Sequence, residues 1–271
     1  MSPFCDAHNH LHDERLAPQR ELICKSLAQL GVTCCVVNGT RESDWPAVAA
    51  LVNAHPSMIA SFGLHPWHVP DCSANWQKTL LGFLDSHPGA GVGEIGLDRW
   101  IEPHDFTAQR KAFEWQLNLA AERNLPASIH CLKAWGGLWD ILRTHPLPKR
   151  GFLLHAYGGP EEMVEGFAGK GAYFSFSPYF LHSRKEKQRA LFARLPIERL
   201  LVETDAPDMA PPDERNAHPI CGADGKLLNH PANIEVAYAG LAEIRGMPLK
   251  ALVTQVKQNF TRLFGAFSPP H

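Results

Sequence analysis

The chain has no long apolar run, no Cys-x-x-Cys, no excess of either charge and no low-complexity stretch. No segment approaches the ~18 consecutive apolar residues of a membrane-spanning helix, so a helical membrane protein is excluded and no membrane partner is expected. Seven cysteines, an odd number without metal-binding spacing, argue against a disulfide framework and a Cys-rich zinc module. Cys5 and Cys131 fall in strand-like runs and read as small buried apolar residues. A reducing cytoplasm is the expected compartment. The first apolar run begins almost at once (MSPFCDAH), which leaves no room for a signal peptide. With 26 basic and 28 acidic residues the net charge is −2, which is not the basic footprint of a protein that holds nucleic acid by charge alone. Any affinity for phosphate must be local to a site. No linker or internal repeat divides the chain, so a single domain over 1–271 is expected, and no protein partner is implied.

What is present is alternation. Apolar runs and helical periods follow one another from end to end, the pattern of an α/β fold. The strand candidates are Phe4–His8, Thr33–Val37, Met58–Gly63, Gly91–Glu94, Ala127–His130, Gly151–His155, Ala172–Phe176 and Leu200–Glu203. Cys34 to Val37 is continuously apolar, as a parallel strand buried on both faces should be. Phe106, Phe113, Leu117 and Ala120 share a helical face over Asp105–Asn124. Ile234, Ala237, Tyr238 and Leu241 share another, and Leu249, Leu252, Val253, Val256, Phe260, Leu263 and Phe264 a third. Eight strands in 271 residues, close to the ~250 typical of the fold, predict a (β/α)8 TIM barrel. Pro207–Pro231 is the one long loop, expected to overhang the barrel mouth and shape the substrate site.

Chemistry-bearing residues close run after run. His8 and His10 form a His-x-His pair in FCDAHNHLH. Glu94 ends AGVGE, His130 ends PASIH, His155 ends GFLLH, and RLLVETD carries Glu203 and Asp205. Barrel enzymes draw catalytic groups from the C-terminal ends of different strands, so these residues predict a metal site at that face. Residues two apart in a strand share a face, so His8 and His10 can grip one ion. Each alone has a bland reading: a packed imidazole, or a strand-to-loop turn after Gly93. Together they do not, because several buried unpaired ionisable groups cost several kcal/mol each without partners or a metal. Four imidazoles and two carboxylates exceed the three protein ligands of an open tetrahedral site. They suit two ions, bridged by Glu94. Imidazole with carboxylate accepts magnesium, manganese or zinc.

The motifs DAHNHL, GLHP (Gly63–Pro66), GEIGLD (Gly93–Asp98), IHC, LLHAYGG, ETDAP (Glu203–Pro207) and NFTRLF together resemble the TatD family of metal-dependent hydrolases, within the amidohydrolase-like barrels. The resemblance implies a TIM barrel, one or two divalent ions, and the ligands His8, His10, Glu94, His130, His155 and Asp205. It implies a deoxyribonuclease acting on single-stranded DNA or DNA ends, with His65 lining the site. Two positions depart from the family. Leu132 and Leu228 stand where arginine is frequent, and arginine suits bidentate phosphate contact. Ala156 to Pro160 likewise replaces the usual Phe-Ser-Gly-Ser.

The expected reaction is metal-assisted phosphodiester hydrolysis. Glu94 would hold both ions, Asp205 would accept a proton from the water, and His65 would contact substrate or protonate the leaving oxygen. Glu203 would orient a ligand histidine or form a structural ion pair. A small phosphodiester is the alternative substrate. An amidase, a lactonase or an aminoacyl-tRNA deacylase on the same barrel is the competing enzyme reading, and a metal-binding protein without turnover the non-enzyme one. Trp67, Trp100, Trp135, Tyr157 and Tyr179 are the candidates for base stacking, with Trp67 and Trp135 foremost.

Overall fold

The computed structural model describes residues 4–103 and 105–265. The outermost residues of the expected 1–271 domain lie outside that range. The order along the chain is β1 (Phe4–Asn9), α1 (Arg20–Leu30), β2 (Val32–Asn38), α2 (Trp45–Ala54), β3 (Met58–Phe62), α3 (Trp76–Ser86) and β4 (Gly91–Asp98). It continues with α4 (Phe106–Arg123), β5 (Ala127–Leu132), α5 (Trp135–Thr144), β6 (Phe152–Leu154), α6 (Val164–Gly169), β7 (Ala172–Phe176), α7 (Glu186–Arg194) and β8 (Leu200–Val202). A hairpin, β9 (Pro219–Cys221) and β10 (Leu227–Asn229), precedes α8 (Ile234–Arg245) and α9 (Leu249–Phe264).

Strands β1 to β8 lie in sequence order in one sheet, every neighbouring pair parallel. This is the expected barrel. The helical stripes face it. Phe113, Leu117 and Ala120 of α4, and Leu252, Val253, Val256, Phe260 and Leu263 of α9, are all buried. Each such apolar side chain contributes roughly 1.5–3 kcal/mol. Leu249 is the exception in its stripe, exposed at the first position of α9. Asp105 caps α4 by accepting from Ala108 N, which defines where the helix begins.

The seam between β1 and β8 carries no ladder pairing among the described residues. Side chains and loop backbone close it instead. The Tyr238 hydroxyl donates to Cys5 O (2.9 Å) and accepts from Cys5 N (3.2 Å), pinning α8 to β1. The Asp6 carboxylate accepts from Thr204 Oγ1 (2.6 Å) and Thr204 N (3.0 Å). Nearer the mouth, Asp205 N donates to His8 O and His10 N donates to Ala206 O. The segment after β8 is thereby laid directly beside the His-x-His pair.

Two expectations about local structure change. Strand β4 does not end at Glu94 but runs on to Asp98, and β5 likewise continues past His130 to Leu132. A one-residue bulge between Val92 and Ile95 interrupts the β4–β5 ladder and re-aims Glu94. Just beyond, Gly96 has φ +150°, and a Cβ there would lie 1.9 Å from His130 O, so only glycine fits. The Pro207–Pro231 loop is not structureless either. It contains the antiparallel β9–β10 hairpin, in which Leu228 is buried.

Candidate metal centre

The predicted ligands converge on the carboxylate of Glu94. Its Oε2 lies 3.4 Å from His8 Nε2 and 3.3 Å from His10 Nε2. Its Oε1 lies 3.2 Å from His130 Nδ1, 2.9 Å from His155 Nε2 and 3.3 Å from His65 Nε2. Asp205 Oδ1 stands 3.6 Å from His8 Nε2 and 3.4 Å from His10 Nε2. One carboxylate therefore divides its two oxygens between two sets of nitrogens. Three triads have ligand atoms within 4.8 Å of one another: His8, His10 and Glu94; His8, His155 and Asp205; His65, Glu94 and His130.

Each imidazole is held from behind. His8 Nδ1 meets Ser128 Oγ at 2.8 Å, and His10 Nδ1 meets Asn38 O at 2.7 Å. His130 Nε2 meets Asp98 Oδ2 at 2.8 Å, and His155 Nδ1 faces Glu203 Oε1 at 3.5 Å. A carbonyl or carboxylate can only accept, so His10 and His130 carry a proton on these outward nitrogens, and the facing Glu203 carboxylate favours the same for His155. Loss of the inward proton would leave each inward nitrogen with the lone pair that a metal requires. The donor set fits divalent ions.

The electrostatics follow from crowding in a buried place. Burial opposes charge on Glu94, but the surrounding imidazoles outweigh it and hold the carboxyl well below the usual carboxylate range. Burial also opposes charge on His10 and His155, yet the facing carboxylates push both well above the ordinary imidazole value. His8 and His65 go the other way, because burial prevails and lowers each to about 4. Burial works against ionised Asp98 too, but hydrogen bonds from His130 and Trp100 N bring its carboxyl to about 2.

Two residues apart, Glu203 and Asp205 would share one face had the strand continued through them. Strand β8 ends at Val202, before either residue, and Asp205 adopts φ +54°. Aspartate tolerates this left-handed conformation better than most residues. The turn separates the two carboxylates, setting Asp205 at the mouth against His8 and His10 and Glu203 beneath His155. Ser175 Oγ donates to Glu203 Oε2 from the neighbouring strand.

His65 lies in the cluster, its Nε2 3.3 Å from Glu94 Oε1. Its Nδ1 accepts from Trp67 N at 3.2 Å, so the neutral ring carries its proton on Nε2, toward Glu94. The stacking candidates separate. Tyr157 is fully buried and donates to Pro160 O, so it is no platform, and half-buried Trp135 packs edge-on against it. Tyr179 lies under Arg184 and Lys185. Trp67 and Trp100 remain exposed. Leu132 is exposed at the rim, whereas Leu228 is buried in the β9–β10 hairpin. Asp98, Ser128 and Asp6 were not singled out from sequence as supports of the site. Asp98 and Ser128 did carry a signal, since each lies an even number of residues from Glu94 or His130 along its strand.

An eight-stranded barrel with a histidine–carboxylate cluster at its C-terminal mouth is the architecture of metal-dependent hydrolases. The profile of the TatD related DNase family matches residues 5–265, and the chain belongs to that family. An Escherichia coli K12 protein named an uncharacterized metal-dependent hydrolase, YjjV, is 30% identical over 263 residues, 96% of this chain and 97% of its own. A Pantoea sp. protein named 3′-5′ ssDNA/RNA exonuclease TatD is 31% identical over 260 residues, 94% and 96% of the two chains. The crystal structure of the E. coli YjjV protein superposes with a TM-score of 0.88 at 28% identity, covering 97% of this chain and 98% of that one. The chain is thus a TatD-type metal-dependent hydrolase.

Proposed function

We propose that this protein removes nucleotides from the 3′ end of a single-stranded nucleic acid, with Glu94 and the imidazoles and carboxylate around it as the residues that would hold two divalent ions. The observation that carries the reading is the division of the Glu94 oxygens between the His8/His10 nitrogens and the His130/His155 nitrogens. Asp205 completes the first set, and the polarity follows the name of the relatives. Magnesium, manganese or zinc suits these donors. Bound divalent ions supply Lewis acidity, which lowers the pKa of water and draws charge from a phosphoryl oxygen.

The chain's own groups do the rest. Asp205 lies at the mouth with 14% of its side chain exposed, and it accepts the proton of the attacking water. His65 is neutral near pH 7 and donates a hydrogen bond from Nε2, to Glu94 at rest and to the leaving oxygen during the reaction, while solvent water supplies the proton that oxygen takes up. Glu203, Asp98, Ser128 and the Asn38 carbonyl hold the four ligand rings in place. Free thiols at seven positions, with Cys5 and Cys34 Sγ atoms 3.3 Å apart, favour a reducing compartment such as the cytoplasm.

The test is a panel assay with magnesium, manganese and zinc. The substrates are single-stranded DNA, RNA, a chromogenic phosphodiester, an amide, a lactone and an aminoacylated tRNA. Metal-dependent release of mononucleotides from 3′ ends is expected, lost in Glu94→Gln. Turnover confined to the carbonyl substrates would replace this reading with the deacylase or amidase one.

A further inference from the structure

Seven large apolar side chains stand exposed among the described residues, and four of them meet at one place on the rim. Trp67 (43% exposed) follows β3, Trp100 and Ile101 follow β4, and Leu132 closes β5. Asp98 organises them. Its Oδ2 accepts from Trp67 Nε1 at 2.8 Å, and its Oδ1 accepts from Trp100 N at 2.5 Å. Leu132 is its partner across the β4–β5 ladder. The same Oδ2 accepts from His130 Nε2 at 2.8 Å. One carboxylate therefore fixes both a candidate metal ligand and an exposed indole. The Trp67 ring centroid is 6.1 Å from that of His130 and 5.0 Å from that of His65.

We propose that Trp67 is the stacking platform for the base of the 3′-terminal nucleotide, held by Asp98 at a fixed distance from the centre. The inference rests on the phosphodiester reading above and names the part of the substrate that binds beside the scissile bond. The occupant is a flat ring because the platform is rigid. The Nε1–Asp98 bond locks the indole plane, which suits a base, whereas a flexible acyl chain is better served by pliable side chains such as methionine. Stacking also fits a surface that is poor in net charge, since every base offers a π-face whatever its sequence. Arg99 and Lys133, both exposed beside the apolar rim, are placed to meet backbone phosphates.

The experiment uses the manganese-loaded full chain and two short single-stranded oligonucleotides. One is intact and the other lacks only its 3′-terminal base. The wild type should show a KM roughly 5- to 100-fold higher for the abasic strand, with kcat little changed. Trp67→Leu should raise KM for the intact strand by that factor and leave the abasic strand unaffected, and Trp67→Phe should recover part of the loss. A disturbance of His130 through Asp98 would instead slow both strands alike. Equal KM values in the wild type, or an equal loss on both strands in Trp67→Leu, overturns the platform. Binding is read separately from indole fluorescence. If neither strand is hydrolysed but the intact one quenches wild-type emission and not that of Trp67→Phe, the platform stands and the phosphodiester reading falls. Absence of both hydrolysis and quenching rejects both.

Discussion

Glu203 Oε1 lies 3.5 Å from His155 Nδ1, an ion-pair distance, and neither buried atom has a hydrogen-bond partner among the described residues. The pair leaves His155 Nε2 facing inward, 2.9 Å from Glu94 Oε1. Outer partners of this kind typically contribute 10–100-fold to metal affinity. Glu203→Gln should therefore weaken one of two zinc affinities by roughly that factor, with an unchanged far-ultraviolet circular dichroism spectrum. Competition against a chelating dye reads both affinities. Two unchanged constants would reduce the pair to a structural contact.

Asp6 gives a pH-dependent expectation for the barrel seam. Burial pushes its carboxyl up to about 7, against hydrogen bonds from Thr204 and His8 N that favour the charged form. In the unfolded chain the group titrates near ~3.9. A pKa raised by folding means the native state holds the proton more tightly. The contribution to stability is thus full below pH ~4 and lost as pH rises through about 7. In metal-free protein, the stability of the wild type relative to Asp6→Asn should fall across that window by up to ~4 kcal/mol, at ~1.4 kcal/mol per pH unit. Urea unfolding at several pH values measures it. A difference that stays flat or grows with pH would show that the hydrogen bonds outweigh burial.

Leu132 tests how charge at the rim governs binding. It is exposed beside the centre, where arginine would meet a phosphate. Leu132→Arg, placed in an inactive Glu94→Gln background, should steepen the dependence of log K on log salt by about 0.7, the value of one added contact to a single strand. Fluorescence anisotropy of a labelled oligonucleotide across salt concentrations reports the slope. No change would mean that Lys133 and Arg99 already supply the contact.

The barrel and its principal donors were legible because both leave periodic traces. Buried parallel strands read as continuous apolar runs, and polar groups interrupting them at His8, Glu94, His130 and His155 stand out. The bulge in β4 was not legible, since a one-residue ladder slip near Gly93 looks like a simple strand end. Nor was the way Glu203 and Asp205 part, one beneath His155 and one at the mouth, because β8 ends at Val202 and Asp205 takes a positive φ. Supports such as Ser128 and Asp6 are ordinary residues until the fold sets them against an imidazole or across the seam. The aromatic candidates shared one kind of sequence signal, and only burial separated Tyr157 from Trp67.

The central claim is that Glu94 divides two ion sites. Anomalous difference density from manganese-soaked crystals of the wild-type protein tests it most directly. The account predicts two peaks roughly 3.5–4 Å apart, one toward His8, His10 and Asp205 and one toward His130 and His155, with the Glu94 carboxylate between them. A single peak at saturating manganese, with no space for a second ion, would contradict it.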